Sequence, residues 1–317
     1  MPSELRRDLV TAVDDFWMRS CDLRILDVLR RCYGGLLIVW VAWLWIDRRL
    51  FFGEGSWVPA EVATTVVDSD VWNLYSVVPD TPFFVGAALL LLAVGGVALV
   101  GGVWPRVAAT VSFLLLVAIQ HANNLLVDSE DAVFRLFAFY LIFVPPRDQL
   151  QLTPRSTHPE GPLVSRFPAW PLRLFQLQIC LIYLCSGIQK TDGIDWIEGT
   201  SLYYVFRLDD TVKFPLPQGI TESMGLLRLM TWSVLAFELL APVLLWLKST
   251  RQACLAVAVA FHLLTNYSMN LHLFHWIMIT GLLSFLKYEE WQFLTRPFRR
   301  SRVSGGHPPM GDRPTDA

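Results

Sequence analysis

Apolar stretches broken by short charged segments recur along this chain near 33–50, 83–103, 107–127, 132–146, 169–190, 225–247, 252–268 and 271–286. A helix needs ~20 apolar residues to cross the hydrocarbon core of a bilayer. Some of these stretches barely reach that length, yet together they predict an all-α polytopic membrane helix bundle of about eight spans. Ahead of them, Leu5, Leu9, Val13, Phe16 and Trp17 form an apolar stripe at near-helical spacing, with Arg6, Arg7, Asp8, Asp14, Asp15 and Arg19 opposite. That pattern predicts an N-terminal interfacial helix lying on the membrane; a soluble amphipathic arm fits the same mixture of charges. From residue 301 the sequence loses periodicity and carries Gly305, Gly306, Pro308, Pro309 and Pro314, which predicts a disordered tail. The expected organisation is an amphipathic arm over 1–21, a transmembrane domain over 22–300 and the tail over 301–317.

Basic residues orient the spans, because cytoplasmic loops collect Lys and Arg. With the N-terminus inside, the outer segments hold only Arg48, Arg49, Lys190, Arg207 and Lys213, and most of the other basic residues fall in inner segments. An even number of spans with both termini cytoplasmic in the cell membrane follows. Two long outer loops, about 49–82 and 191–224, lean acidic. Chemistry that faces water is therefore expected outside, where those loops and Trp72 and Trp196 offer a surface for an extracytoplasmic protein or peptide partner.

Composition agrees with the pattern: 54% hydrophobic, 17% charged and a mean hydropathy of +0.43 place the chain among integral membrane proteins, with membrane lipid as its surroundings. Thirteen tryptophans suit the headgroup region. A net charge of −2 points to no nucleic-acid partner. Cys21, Cys32, Cys180, Cys185 and Cys254 show no C-x-x-C spacing, so neither a metal site nor a disulfide framework is expected. The first apolar run follows about thirty residues of mixed charge, unlike a cleavable signal peptide, and is expected to persist in the mature chain. No Gly-rich phosphate loop or G-x-S-x-G elbow occurs.

Charged groups inside a span cost roughly 2.5–3.5 kcal/mol each, so they mark protein interiors or wet cavities. Here they are Arg135, Arg173, Arg228, Glu238 and His262, with Lys190 at a span's outer end. Glu238 and His262 lie mid-helix in consecutive spans of one hairpin, within reach of each other as an ion pair, a neutral hydrogen-bonded pair or simple helix glue. Arg173, near a cytoplasmic entry, reads as a snorkelling anchor. Arg135 and Arg228 share the outer third with Lys190, where three cations would favour a neutral amine or an anionic ligand. His121, Asn123 and Asn124 form a polar knot at the end of the third span that is either a binding group or a helix cap. His272 and His275 are spaced i, i+3 and could chelate a metal, but a third ligand is missing, and ordinary rim histidines fit better. Lys190 itself is either a snorkelling anchor or a partly dry amine able to act as a base.

The run Tyr183-x-x-x-Gly187-x-x-Lys190-x-x-x-x-Asp195-Trp196-x-Glu198-Gly199 resembles the vitamin K-dependent gamma-carboxylases and the wider bacterial family called the horizontally transferred transmembrane (HTTM) domain. Arg30 or Arg31 ahead of Gly34-Gly35, the loop Phe52 to Pro59, Glu238 with Pro242, and His262 followed twelve residues on by Phe274 agree with that resemblance, which covers about residues 22 to 286. It implies a lysine base, here Lys190, acting on a reduced quinone of the vitamin K or menaquinone type. It also implies Glu238 and His262 organising the interior and Asn123 and Asn124 as polar ligands; His121, Arg135 and Trp196 complete the expected binding set. The implied chemistry is epoxidation of a quinol, with carboxylation of a glutamate in the carboxylases themselves. Two departures stand out. Asn123-Asn124-Leu125 occupies the place of an Asn-Asn-His triplet, with His121 the displaced substitute, and the sequence stops soon after its last span, without a large extracytoplasmic domain. A non-catalytic membrane scaffold is the alternative from a different class; a transporter fits less well, for want of paired broken helices.

Overall fold

The computed structural model describes residues 3–53, 56–57, 72–74, 77–79, 81–123, 127–150, 153–154, 163–164 and 167–294. Asn124, most of the first acidic loop and the 301–317 tail lie outside the described residues. The described chain is overwhelmingly helical; its two strands, Thr153–Pro154 and Leu163–Val164, form one two-residue antiparallel pair. The helices are α1 (Ser3–Met18), α2 (Ile25–Phe51), α3 (Pro82–Gly101), α4 (Pro105–Ala122), α5 (Ser129–Ile142) and α6 (Trp170–Thr191). The short α7 (Ile194–Glu198), α8 (Ser201–Val205) and α9 (Gln218–Thr221) follow, then α10 (Met224–Leu244), α11 (Arg251–Ser268) and α12 (Phe274–Leu282).

Turn chemistry sets several of these boundaries. Proline opens α3, α4 and α6 in their first turns, where a missing N–H costs nothing. Gly102 ends α3 at φ 73°, and Pro105 starts α4 three residues later. At the head of α5 the Asp131 carboxylate accepts the Asp128 N–H at 2.9 Å.

Among the described residues, four helices, α3, α4, α6 and α10, are both long and apolar enough to cross a membrane. The other expected spans differ in kind. The α2 helix has 27 residues but carries charges in both end turns. The 14 residues of α5 reach ~21 Å and the nine of α12 ~14 Å, short of a ~30 Å core. Much of their apolar surface faces protein, since Phe134, Phe137, Ala138, Ile277 and Met278 are sealed inside the bundle, while Phe139 and Trp276 stay exposed. A short helix can be apolar because protein surrounds it.

Small residues let the first two long helices touch. A Cβ added at Gly34 of α2 would lie 2.7 Å from the Gly96 carbonyl oxygen of α3 and 3.0 Å from Leu99 Cβ. A backbone atom cannot swing aside, so Gly34→Ala is expected to cost ~1–3 kcal/mol. Thermal unfolding in detergent checks this, with Gly35→Ala, where a Cβ meets nothing within 4 Å, expected to leave the melting temperature unchanged.

Arg173 departs from its expected role as a lipid-facing anchor. Its Nε donates to the Phe16 carbonyl oxygen at 3.3 Å, and its guanidinium lies 4.9 Å from the Phe16 ring and 5.3 Å from that of Trp246. The cation straps α1 to α6, with the half-buried Phe16 ring and carbonyl as its partners.

Candidate functional site

Tyr183, Gly187 and Lys190 follow one another at i, i+4 and i+7, so they share one face of α6. That face meets α10. A Cβ at Gly187 would come within 2.8 Å of Leu239 Cδ2, and this close approach brings the end of α6 against Glu238. The Lys190 ammonium donates to Ser186 Oγ at 2.6 Å and to Glu238 Oε1 at 3.0 Å, and lies 2.8 Å from Glu238 Oε2. Glu238 is buried and Lys190 retains 20% of its side-chain exposure. The Trp196 ring, on α7, has its centroid 5.1 Å from the amine, within cation–π range. Gly199 ends α7 at φ 77°, and a Cβ there would sit 2.4 Å from Arg228 Cγ. Glycine is needed at that position for both backbone and space.

Tyr183, Ser186, Lys190, Trp196 and Glu238 line a cavity of about 230 Å³ whose remaining walls include Phe261, Phe274 and Met278. Tyr183 Oη and His262 Nε2 are 2.8 Å apart, and His262 Nδ1 lies 3.1 Å from His275 Nδ1. Thr265 Oγ1 is 3.3 Å from the same His275 nitrogen. A polar chain thus runs from α6 through α11 to α12 beside the Lys190–Glu238 pair.

The structure redistributes the sequence-derived site. Lys190, Trp196, Glu238 and His262 share the cavity. Glu238 and His262, expected within reach of each other, are not paired: Glu238 turns to α6, while His262 bonds to Tyr183 and His275. Arg135 stands apart from the cavity. Its Nη1 lies 2.9 Å from His121 Nε2, and His121 Nδ1 is 3.2 Å from the Trp72 carbonyl oxygen. Because a carbonyl can only accept, that contact places the His121 proton on Nδ1 and leaves Nε2 to receive the Arg135 N–H. Arg228 packs at 5.9 Å from the Trp232 ring centroid. The three outer cations therefore have separate partners, and the near neighbour of Lys190 is a carboxylate. Asn123 donates to the Phe51 carbonyl oxygen at 3.2 Å and lines a different cavity.

Three contributors escaped the expected set: Tyr183, Ser186 and His275. Ser186 stands one turn before Lys190, a spacing visible in the sequence. His275 is 2% exposed whereas His272 is exposed at φ 41°. Because α12 begins only at Phe274, the i, i+3 pair does not share a helical face.

The family model for the HTTM domain matches residues 19–291. Sporulation-delaying protein SdpB of Bacillus subtilis (strain 168) is 30% identical over 122 residues. That match covers 36% of this chain and 37% of SdpB, so the chain spans well under half the length of this curated relative. No solved structure matches. With a family match across most of its length and several helices built to cross a bilayer, the chain is a multi-pass helical membrane protein belonging to the HTTM domain family.

Proposed function

We propose that this protein is a quinol-dependent membrane enzyme in which Lys190 is the base. The observation that carries the reading is the grouping of Lys190, Glu238, Tyr183 and His262 around one cavity. About eight crossings with both termini cytoplasmic would put that cavity at the outer leaflet of the cell membrane, with α5 and α12 completing their passages through flanking turns.

The fit to a reduced quinone rests on the lining. Flat apolar walls suit a ring, and the polar atoms of Lys190, Tyr183 and His262 can meet its oxygens. A bound quinol supplies two electrons and an ionisable hydroxyl; with molecular oxygen the balanced products are the quinone epoxide and water. Lys190 and Glu238 act as a unit. As the base, the Lys190 amine takes the hydroxyl proton while the Glu238 carboxylate beside it balances the charge that forms. Ser186 fixes the amine, Trp196 closes over it, and Tyr183 with His262 positions the second oxygen.

The same ion pair favours a second reading, a non-catalytic scaffold in which Lys190 and Glu238 only lock α6 to α10. Reconstituted protein given reduced menaquinone or vitamin K and oxygen separates the two. The enzyme yields epoxide, Lys190→Ala loses about 10²–10⁴-fold in rate, and added methylamine restores part of it. A wild type that forms no epoxide and binds no quinone leaves the scaffold.

A further inference from the structure

A second cavity, of about 390 Å³, opens between the last turns of α2 and α4, the first turn of α5 and His272. Its walls bring together Asp47, Asp128, Glu130 and Asp131, with Trp40 and Trp43 beside them and no Lys or Arg among the lining residues. Glu130 and Asp131 are 8% and 7% exposed. None of the four acids enters an ion pair among the described residues. Arg135, one turn after Asp131, faces His121 instead.

Two amides point independently to a ligand. Gln120 and Asn123, each 3% exposed, line the same cavity. Gln120 Nε2 donates to the Asp131 carbonyl oxygen at 3.1 Å, and Asn123 Nδ2 donates to that of Phe51 at 3.2 Å. A carbonyl accepts only, so both amides are fixed with their N–H groups in the wall. Gln120 Oε1 and Asn123 Oδ1 are buried with no partner among the described residues. Native proteins rarely leave such acceptors empty. Trp40, one of the two indoles in the wall, donates its N–H to Asp131 Oδ1 at 2.8 Å and so leaves these acceptors unanswered.

The cavity is therefore a cluster of acceptors, anionic and neutral, flanked by aromatic faces. We infer that it binds a primary ammonium group, a donor-only cation that can satisfy Gln120, Asn123 and a carboxylate at once while its alkyl stem lies on Trp40 and Trp43. The ammonium could belong to a free aliphatic amine or to a lysine side chain of an extracytoplasmic peptide. This site shares no polar side chain with the Lys190 cavity, so the inference stands apart from the quinol reading.

Titrating the reconstituted full chain with 1,5-diaminopentane, and separately with a short lysine-bearing peptide, tests it through tryptophan fluorescence and calorimetry. Saturable binding is expected for at least one probe; tight binding of the diamine alone marks a free-amine site, and of the peptide alone a peptide site. Asn123→Leu and Gln120→Leu are each expected to weaken binding by about tenfold or more. Asp47→Asn, which keeps its shape on a half-buried position, is expected to do the same in a protein that melts like the wild type. Lys248→Gln, at an exposed position outside the cavity wall, is expected to leave amine affinity unchanged. No saturable binding of either probe, or affinity unaffected by Asn123→Leu, Gln120→Leu and Asp47→Asn in folded protein, overturns the inference. So does equally strong displacement by magnesium and calcium, because that would make the acids a diffuse cation sink.

Discussion

Glu238→Ala in an otherwise unchanged chain is expected to lower stability by ~3–5 kcal/mol, far more than the loss of one ordinary contact. The cost comes from what remains. Lys190 would keep its ammonium and Ser186 but lose the carboxylate that lies 2.8–3.0 Å away, in a pocket where water reaches only a fifth of the side chain. That partial exposure puts the effect toward the lower end of the range. Lys190→Met is expected to cost a similar amount, because Glu238 is 7% exposed and has no other cation in reach among its described partners. The double variant Lys190→Met/Glu238→Leu should recover most of the loss, since two apolar side chains of comparable volume remove both desolvation penalties together. Unfolding of the purified protein in mixed micelles, run as a double-mutant cycle, gives the coupling directly. Single losses that simply add in the double variant would show that the two groups do not depend on each other. The double variant also divides the functional readings. A scaffold held by this pair keeps its role once stability returns, whereas a quinol enzyme is stable and inactive.

The path from residues to this pair was only half visible in the sequence. Spacing alone puts Tyr183, Gly187 and Lys190 on one face, and hydropathy alone makes Lys190 the last turn of an apolar helix; α6 ends at Thr191. What spacing cannot give is rotation about a helix axis relative to neighbours. Glu238 and His262 line one cavity from consecutive helices, yet Glu238 is turned toward α6 and His262 toward Tyr183 and His275. The close approach at Gly187 against Leu239 decides that rotation, and only packing reveals it. The same limit applied to Arg135, whose direction, toward His121, was open. Apolar run length was ambiguous for a different reason. Residues 271–286 are greasy enough for lipid, but the helix within them runs from Phe274 to Leu282 and buries His275, Ile277 and Met278 in protein. Hydropathy reports that water is absent and says nothing about what replaces it. The acceptor-lined cavity was legible only as a polar knot, because Gln120 and Asp131 come from different helices and meet through a carbonyl that no side-chain pattern encodes.

At the opposite end of α2, Asp27→Asn is expected to cost ~3–5 kcal/mol as well. One carboxylate there answers three guanidinium groups: Arg30, three residues on; Arg31, with Nε at 3.1 Å; and Arg147, with Nε at 3.6 Å. The three are not equivalent. Arg31 keeps a bond to the Val100 carbonyl oxygen at 2.7 Å, and Arg147 is 65% exposed, so both can fall back on other partners or on water. Arg30 has no such retreat. It is 0% exposed, its Nε and Nη1 already lack partners among the described residues, and a Cβ at neighbouring Gly102 would lie 3.1 Å from its Nη2. Its charge is therefore offset by the carboxylate of Asp27 beside it, itself 13% exposed. Asparagine keeps the shape and removes the charge, leaving a buried cation without its anion. Arg30→Met added to Asp27→Asn should then restore much of the stability, and raising salt from 0.1 to 1 M should change the Asp27→Asn cost little, because a buried pair is poorly screened. A loss that shrinks strongly with salt would instead assign the effect to the exposed arginines, and a double variant no more stable than Asp27→Asn would show that Arg30 never depended on this carboxylate.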